Sequence, residues 1–168
     1  LDRASKHFPV ILITGPRQIG KTTCLRHSAA KNRSYVTLDD PQARELAIDD
    51  PKLFLQRFTP PVLIDEIQYA PQLLPLIKMA VDSGAQTGDF WLTGSQQFHL
   101  MAGVSESLAG RVGILQMLGF SYMELINQAQ QSQPFMPDAP ESYATQKPMG
   151  LKPLYKYIWR GSFPAIVT

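Results

Sequence analysis

An α/β fold built on a parallel sheet is what this sequence predicts, and three stretches carry the expectation. Val10-Ile11-Leu12-Ile13-Thr14, Val62-Leu63-Ile64-Asp65-Glu66 and Phe90-Trp91-Leu92-Thr93 are short, continuous apolar runs rich in residues that favour strands. A run that is apolar at every position, and not at alternate ones, fits a strand covered on both faces. Each run ends in small or polar residues, which is where the strands of an open parallel sheet present chemistry.

The elements follow in order. Leu1 to Phe8 reads as the end of a helix, and Val10 to Thr14 as the first strand. A glycine-rich turn and a helix over Thr23 to Ala30 come next. Tyr35 to Asp39 is a second strand, stopped by Asp39-Asp40-Pro41, where an aspartate before a proline also suits a helix cap. Two short helices are expected over 42–48 and 51–58, the latter with Pro51 at its first position. Pro60-Pro61 gives the Val62 strand a sharp start. Leu73 to Ser83 forms a helix closed by Gly84, and Phe90 to Gln96 a further strand. Residues 97–102 and 106–108 read as two short helical pieces, Val112 to Met117 as the fifth strand, and Tyr122 to Asn127 as helical. The stretch 128–150 differs in kind, with five Gln and four Pro and few large apolar residues. It reads either as a solvated loop or as a lid or partner contact. Leu154 to Trp159 is a short amphipathic helix leading into Arg160-Gly161-Ser162-Phe163-Pro164.

The turn after the first strand is Gly15-Pro16-Arg17-Gln18-Ile19-Gly20-Lys21-Thr22, two glycines with four residues between them, then Lys and Thr. This is the P-loop pattern, here in its required strand–turn–helix setting. Backbone N–H groups of the turn and the positive end of the helix together attract an anion. Residues Gly15 through Thr23 are therefore the candidate phosphate cradle. Lys21, expected to be reachable by solvent, would meet the β- and γ-phosphates, and the Thr22 hydroxyl would hold Mg²⁺. Asp65, at the end of its strand, would complete the Mg²⁺ site. Glu66, one residue on, would polarise a water for attack on the γ-phosphate. Phe90 to Gln96 supplies a third contact, with Ser95 the first choice to touch the γ-phosphate or the water, then Gln96 and Thr93. A turn at Gly94 with Ser95 as a helix cap is the structural alternative. Asp39 and Asp40 suit a turn better than the surroundings of the cation.

Composition sets limits. At 168 residues the chain is about one domain, and 44% hydrophobic residues supply a real core. With 18% charged residues the chain is lightly charged, which hints at apolar surface covered by something else. A net charge of +2 announces no nucleic-acid surface, so DNA remains a partner that the charge does not indicate. The single cysteine, Cys24, excludes an internal disulfide and reads as a small buried hydrophobe. His7, His27 and His99 share no metal-ligand spacing. There is neither an apolar run of about 18 residues nor a signal peptide, so the expected place is the cytoplasm, away from membranes.

Taken together, GPRQIGKTT (15–23), YVTLDDP (35–41), VLIDEIQ (62–68), FWLTGSQQFHLM (90–101), SLAGRVGILQMLGFSYMEL (107–125) and RGSFPAIV (160–167) resemble the AAA-type ATPases of bacteria and archaea whose ATPase domain is followed by a C-terminal domain of unknown function. The resemblance runs along nearly the whole chain, and the LTGSQ and LAGR segments narrow it to this family. It implies a P-loop core of the additional-strand, catalytic-glutamate type. Helices would cover both faces of a sheet ordered 5-1-4-3-2. It also implies ATP as ligand and the ATPase activity that goes with it. Residues 1–168 would then be the ATPase domain alone, an excised piece whose C-terminal partner domain is missing. The start at Leu1 and the uncapped apolar run before Thr168 prompt the same expectation.

Related ATPases ascribe to a Gly-Arg pair near Gly110-Arg111 the role of an arginine finger. Arg111 would then reach the γ-phosphate of a neighbouring subunit in a homo-oligomer; a surface salt bridge or a strand-end cap is the alternative. Other functions leave different marks. A GTPase would carry Asn-Lys-x-Asp, which is absent. A small-molecule kinase usually has an Arg-rich lid, whereas 128–150 holds Lys147 and no Arg. A slow regulatory switch would share the same motifs, although Asp65-Glu66 favours turnover.

Overall fold

The computed structural model describes residues 1–95, 98–131 and 149–167. Gln96, and residues 132–148 of the expected polar loop, lie outside the described residues. The chain forms two compact units, Leu1–Leu118 and Gly119–Thr168.

The first unit is a parallel sheet of five strands: β1 (Val10–Gly15), β2 (Ser34–Thr37), β3 (Val62–Asp65), β4 (Phe90–Ser95) and β5 (Val112–Gln116). They lie in the order β2-β3-β4-β1-β5, which read from the other edge is the expected 5-1-4-3-2. β1 sits between β4 and β5, with Val10 beside Phe90 and Val112, and Gly15 beside Ser95. The continuous apolar runs are explained by two cores. Val10, Leu12, Val62, Ile64, Phe90 and Leu92 face one side, and Ile11, Ile13, Leu63 and Trp91 the other.

Helices complete both layers. On the larger face lie α3 (Pro41–Asp49), α4 (Pro51–Arg57), α5 (Leu73–Asp82) and α6 (Phe98–Ser107), delivering Ala43, Ala47, Phe54, Leu73, Leu74, Ile77 and Val104 to the core, which Leu108 joins just after α6. On the other face α1 (Asp2–Ser5) and α2 (Lys21–Ser28) contribute Ala4 and Leu25. Asp40 caps α3, accepting from the Gln42 N–H at 2.9 Å, and Asp50 caps α4, accepting from the Leu53 N–H at 2.9 Å. Pro41 and Pro51 occupy first-turn positions that need no N–H donor.

Three local expectations change. The helix after the P-loop begins at Lys21, two residues earlier than the sequence suggests, because Gly20 takes a left-handed φ of 92° and releases the next residue into the helix. The two helical pieces around residue 103 are one helix, α6. The residues left between the two expected pieces are helical too, and a Cβ at Gly103 would make only ordinary contact with Leu74 Cδ1, at 3.4 Å. Cys24 is half-buried, because only Leu25 of that turn points into the core.

The second unit contains α7 (Tyr122–Leu125), α8 (Leu151–Arg160) and α9 (Pro164–Val167). A reciprocal cap opens α7: the Glu124 N–H donates to Ser121 Oγ at 3.2 Å and the Ser121 N–H to Glu124 Oε2 at 2.7 Å. Tyr157 of α8 meets the Tyr122 ring edge-on at 5.6 Å, while Trp159 is 92% exposed.

Candidate functional site

The carboxyl ends of β1, β3 and β4 meet at one edge of the sheet, and their terminal residues form the site. Thr14 and Gly15 end β1, Asp65 ends β3, and Thr93 to Ser95 end β4. Gly15 is there by necessity. Its φ is 151°, and a Cβ would collide with the carbonyl oxygen of Met117, whose own N–H donates to Thr14 O at 2.7 Å. From Gly15 the chain turns out through exposed Pro16, Arg17 and Gln18, the last with φ 61°. Ile19, 2% exposed, pins the loop back onto the fold. The Cys24 N–H bonds to Gly20 O at 2.9 Å, so the N–H groups before it belong to the open first turn of α2. A loop of this shape is an anion cradle.

Lys21 lies inside that loop rather than in solvent. It is 5% exposed, and its ammonium donates to Gly15 O at 3.1 Å and Pro16 O at 2.8 Å. A buried ammonium needs acceptors, and the loop's own carbonyls supply them. The Thr22 hydroxyl points to Asp65, sharing its proton between Oδ1 and Oδ2 at 2.9 Å each. One hydroxyl and one carboxylate, both hard oxygen donors, suit Mg²⁺ that takes its other ligands from water and phosphate. Among the described residues no group of three or more His, Cys, Asp or Glu forms a self-sufficient metal cage. The donors present therefore fit a cation that arrives with a phosphate.

Asp65 is 4% exposed and is held by more than Thr22. Thr93, fully buried, donates its hydroxyl proton to Asp65 Oδ1 and accepts the Glu66 N–H at 3.0 Å. Tyr35 on β2 donates to Asp65 Oδ2 at 3.2 Å, with the Arg26 guanidinium 4.9 Å over its ring. Burial, and then the Asp65 carboxylate, push the Tyr35 phenol above its ordinary pKa. Thr93 ranks third among the sequence candidates on β4, and Tyr35 and Gln68 are not among the candidates. Ile64 pairs with Leu92, and this register sets Asp65 beside Thr93.

Glu66 leaves β3 with φ 59° and ψ 47°, a left-handed conformation uncommon for a residue with a side chain. The turn Ile67–Tyr69 follows, and Gln68 Nε2 donates to Glu66 Oε2. Ser95, 8% exposed, lies directly across from Gly15, and its hydroxyl has no hydrogen-bond partner among the described residues. The edge thus collects Gly15, Lys21, Thr22, Asp65, Glu66 and Ser95.

Arg111 is elsewhere. Its carbonyl accepts the Val10 N–H at 3.2 Å, which puts it at the amino end of β1. About 17 Å of strand, at ~3.3 Å per residue, separates it from Gly15, beyond the reach of its side chain. There its guanidinium pairs with Asp82 at 2.6 Å and donates to Ala109 O at 3.1 Å. Arg111 directly precedes β5, which runs parallel to β1, and so belongs to this edge. Among the described residues no helix is long and apolar enough to cross a membrane.

The family model described as "AAA domain" matches residues 7–126. The chain belongs to that AAA family. The matched residues thus form an AAA-type P-loop ATPase domain, with the nucleotide-binding fold that goes with it. Two curated relatives, each called an uncharacterized protein, come from Mycobacterium bovis and Mycobacterium tuberculosis. Each is 36% identical over 126 residues, covering 74% of this chain and 28% of the relative. The AAA domain chain therefore spans 28% of the length of the curated relatives it matches. A solved structure, the Aeropyrum pernix ORC2 protein in its ADP form, aligns at 15% identity with a TM-score of 0.41. It covers 78% of this chain and 47% of that one.

Proposed function

We propose that this AAA domain binds ATP with Mg²⁺ and hydrolyses it in the cytoplasm. The hydrolysis would drive or switch a C-terminal effector domain or a DNA-linked process. The observation that carries the reading is the meeting of P-loop, Asp65 and Glu66 at one sheet edge, with Thr22 bonded to Asp65. Residues 15–23 hold the phosphates, and Lys21 exchanges the loop carbonyls for phosphate oxygens. Mg²⁺, when bound, neutralises phosphate charge, with Thr22 and Asp65 as its protein-side partners. Glu66 accepts a proton from the attacking water, whose oxygen bonds to the γ-phosphorus as the bond to the bridging oxygen breaks; ADP leaves with the electron pair. Ser95 contributes its hydroxyl, which is without a partner among the described residues, to the γ-phosphate or the water.

Arg111 fits this scheme only across a subunit boundary, since its own P-loop lies at the opposite sheet edge. A homo-oligomer in which the Asp82–Arg111 pair opens toward a neighbour's nucleotide would use it as an arginine finger.

The test is Lys21→Ala. Circular dichroism should show an intact fold, while a fluorescent ATP analogue should no longer bind and phosphate release should stop. Undiminished hydrolysis by the folded variant would overturn the reading.

A further inference from the structure

The geometry points to Gln68 as a positioning residue that holds Glu66 and receives a hydrogen bond from the attacking water. This rests on the reading of Glu66 as the base. A carboxylate only accepts, so the amide of Gln68 must turn its NH₂ to Glu66 Oε2, as it does. That leaves Gln68 Oε1, which is buried and has no hydrogen-bond partner among the described residues. A buried amide oxygen without a donor is costly, and such atoms call for a reason.

The backbone fixes this arrangement. Glu66 turns left-handed out of β3, and the Tyr69 N–H closes the turn on Glu66 O at 3.1 Å. Ile67 on one side of Gln68 is fully buried in the larger core. Tyr69 on the other packs against that core, with the Arg44 guanidinium 4.2 Å over its ring. Gln68 is therefore held between two anchored neighbours, and its amide meets the Glu66 carboxylate with little conformational entropy left to lose.

An amide in this place has a donor for the base and an acceptor for the base's substrate. A water that gives one proton to Glu66 has a second O–H to place, and Gln68 Oε1, on the amide already bonded to Glu66, is an acceptor with free capacity among the described residues. Gln68 gains and loses no proton in the step. It sets the direction of the water oxygen and the rotamer of Glu66, so its contribution belongs to turnover and not to nucleotide affinity.

The experiment compares Gln68→Met, close in shape and lacking both amide groups, with the wild type and with Glu66→Gln. The expected result is a fall in kcat of about 10- to 100-fold, the scale of a misplaced reacting group. KM, affinity for a fluorescent ATP analogue and the unfolding midpoint should all stay within about two-fold or a few degrees. Wild-type kcat, or a fall accompanied by lost affinity or lost stability, would overturn the inference. Should Gln68→Met fail to fold, Gln68→Glu is read by the same criteria, since it keeps the length and places a like charge beside Glu66. If Glu66→Gln is inactive while Gln68→Met is intact, only this inference falls. If Glu66→Gln hydrolyses ATP as the wild type does, the base assignment falls and this inference with it.

Discussion

Replacing Thr93 with valine removes one hydroxyl and almost no volume, yet it should cost this protein a large share of its stability. Thr93 is fully buried, and its hydroxyl serves two partners, giving a proton to Asp65 Oδ1 and accepting the Glu66 N–H at 3.0 Å. In Thr93→Val the Glu66 N–H loses its acceptor, at about 1–3 kcal/mol for an unsatisfied buried donor. Asp65, 4% exposed, keeps Thr22 and Tyr35 but loses its third donor. A hydrogen bond to a charged group contributes about 1.5–3 kcal/mol. Allowing about 1 kcal/mol for the added methyl, the net loss is about 1.5–5 kcal/mol. For a chain of this size, at about 2–4 °C per kcal/mol, that lowers the unfolding midpoint by roughly 3–20 °C. Thr93→Ser keeps the hydroxyl and loses only a methyl, about 1 kcal/mol. Thermal and urea unfolding of the three proteins decide the matter. A valine variant as stable as the wild type, or a serine variant less stable than the valine one, would refute the argument that Thr93 ties Asp65 to Glu66.

Gly15→Ala should abolish binding of a fluorescent ATP analogue, because the new Cβ meets Met117 O. Gly110→Ala, where a Cβ meets nothing within 4 Å, should cost only the ~1–2 kcal/mol of left-handed strain and leave binding intact. The raised pKa of Tyr35, from burial first and the Asp65 charge second, contributes stability that is fully present below the unfolded value near pH 10. That contribution is lost as pH rises through the higher folded value, so wild-type stability should fall more steeply above pH ~10 than that of Tyr35→Phe. Parallel alkaline unfolding curves would count against it. Mixing Arg111→Ala with Lys21→Ala protein should restore phosphate release, since one partner keeps the P-loop and the other the arginine; a mixture that stays inactive would confine Arg111 to its pair with Asp82.

Much of this was legible in the sequence because the relevant signals are local. A buried strand running into GPRQIGKT can hardly be anything but strand, loop and helix, and the apolar runs at Val62 and Phe90 marked their strands to within a residue or so. What escaped was long-range. Tyr35 and Asp65 are 30 residues apart and Thr93 and Asp65 are 28 apart, so their contacts exist only once β2, β3 and β4 are in register. Gln68 lies two residues from Glu66 and escaped for another reason: only a left-handed Glu66 folds the turn back so that the two side chains meet. Lys21 looked solvent-reachable because lysines usually are, but the P-loop curls its own carbonyls around the ammonium.

Glu66→Gln tests the central claim most directly. The substitution keeps shape and removes the ability to take a proton, so equilibrium affinity for ATP with Mg²⁺ should match the wild type. Phosphate release should fall by about 10²-fold or more, the scale of general-base catalysis. A Glu66→Gln protein that binds ATP and releases phosphate at the wild-type rate would contradict the account, because the carboxylate at the end of β3 would then not be the base.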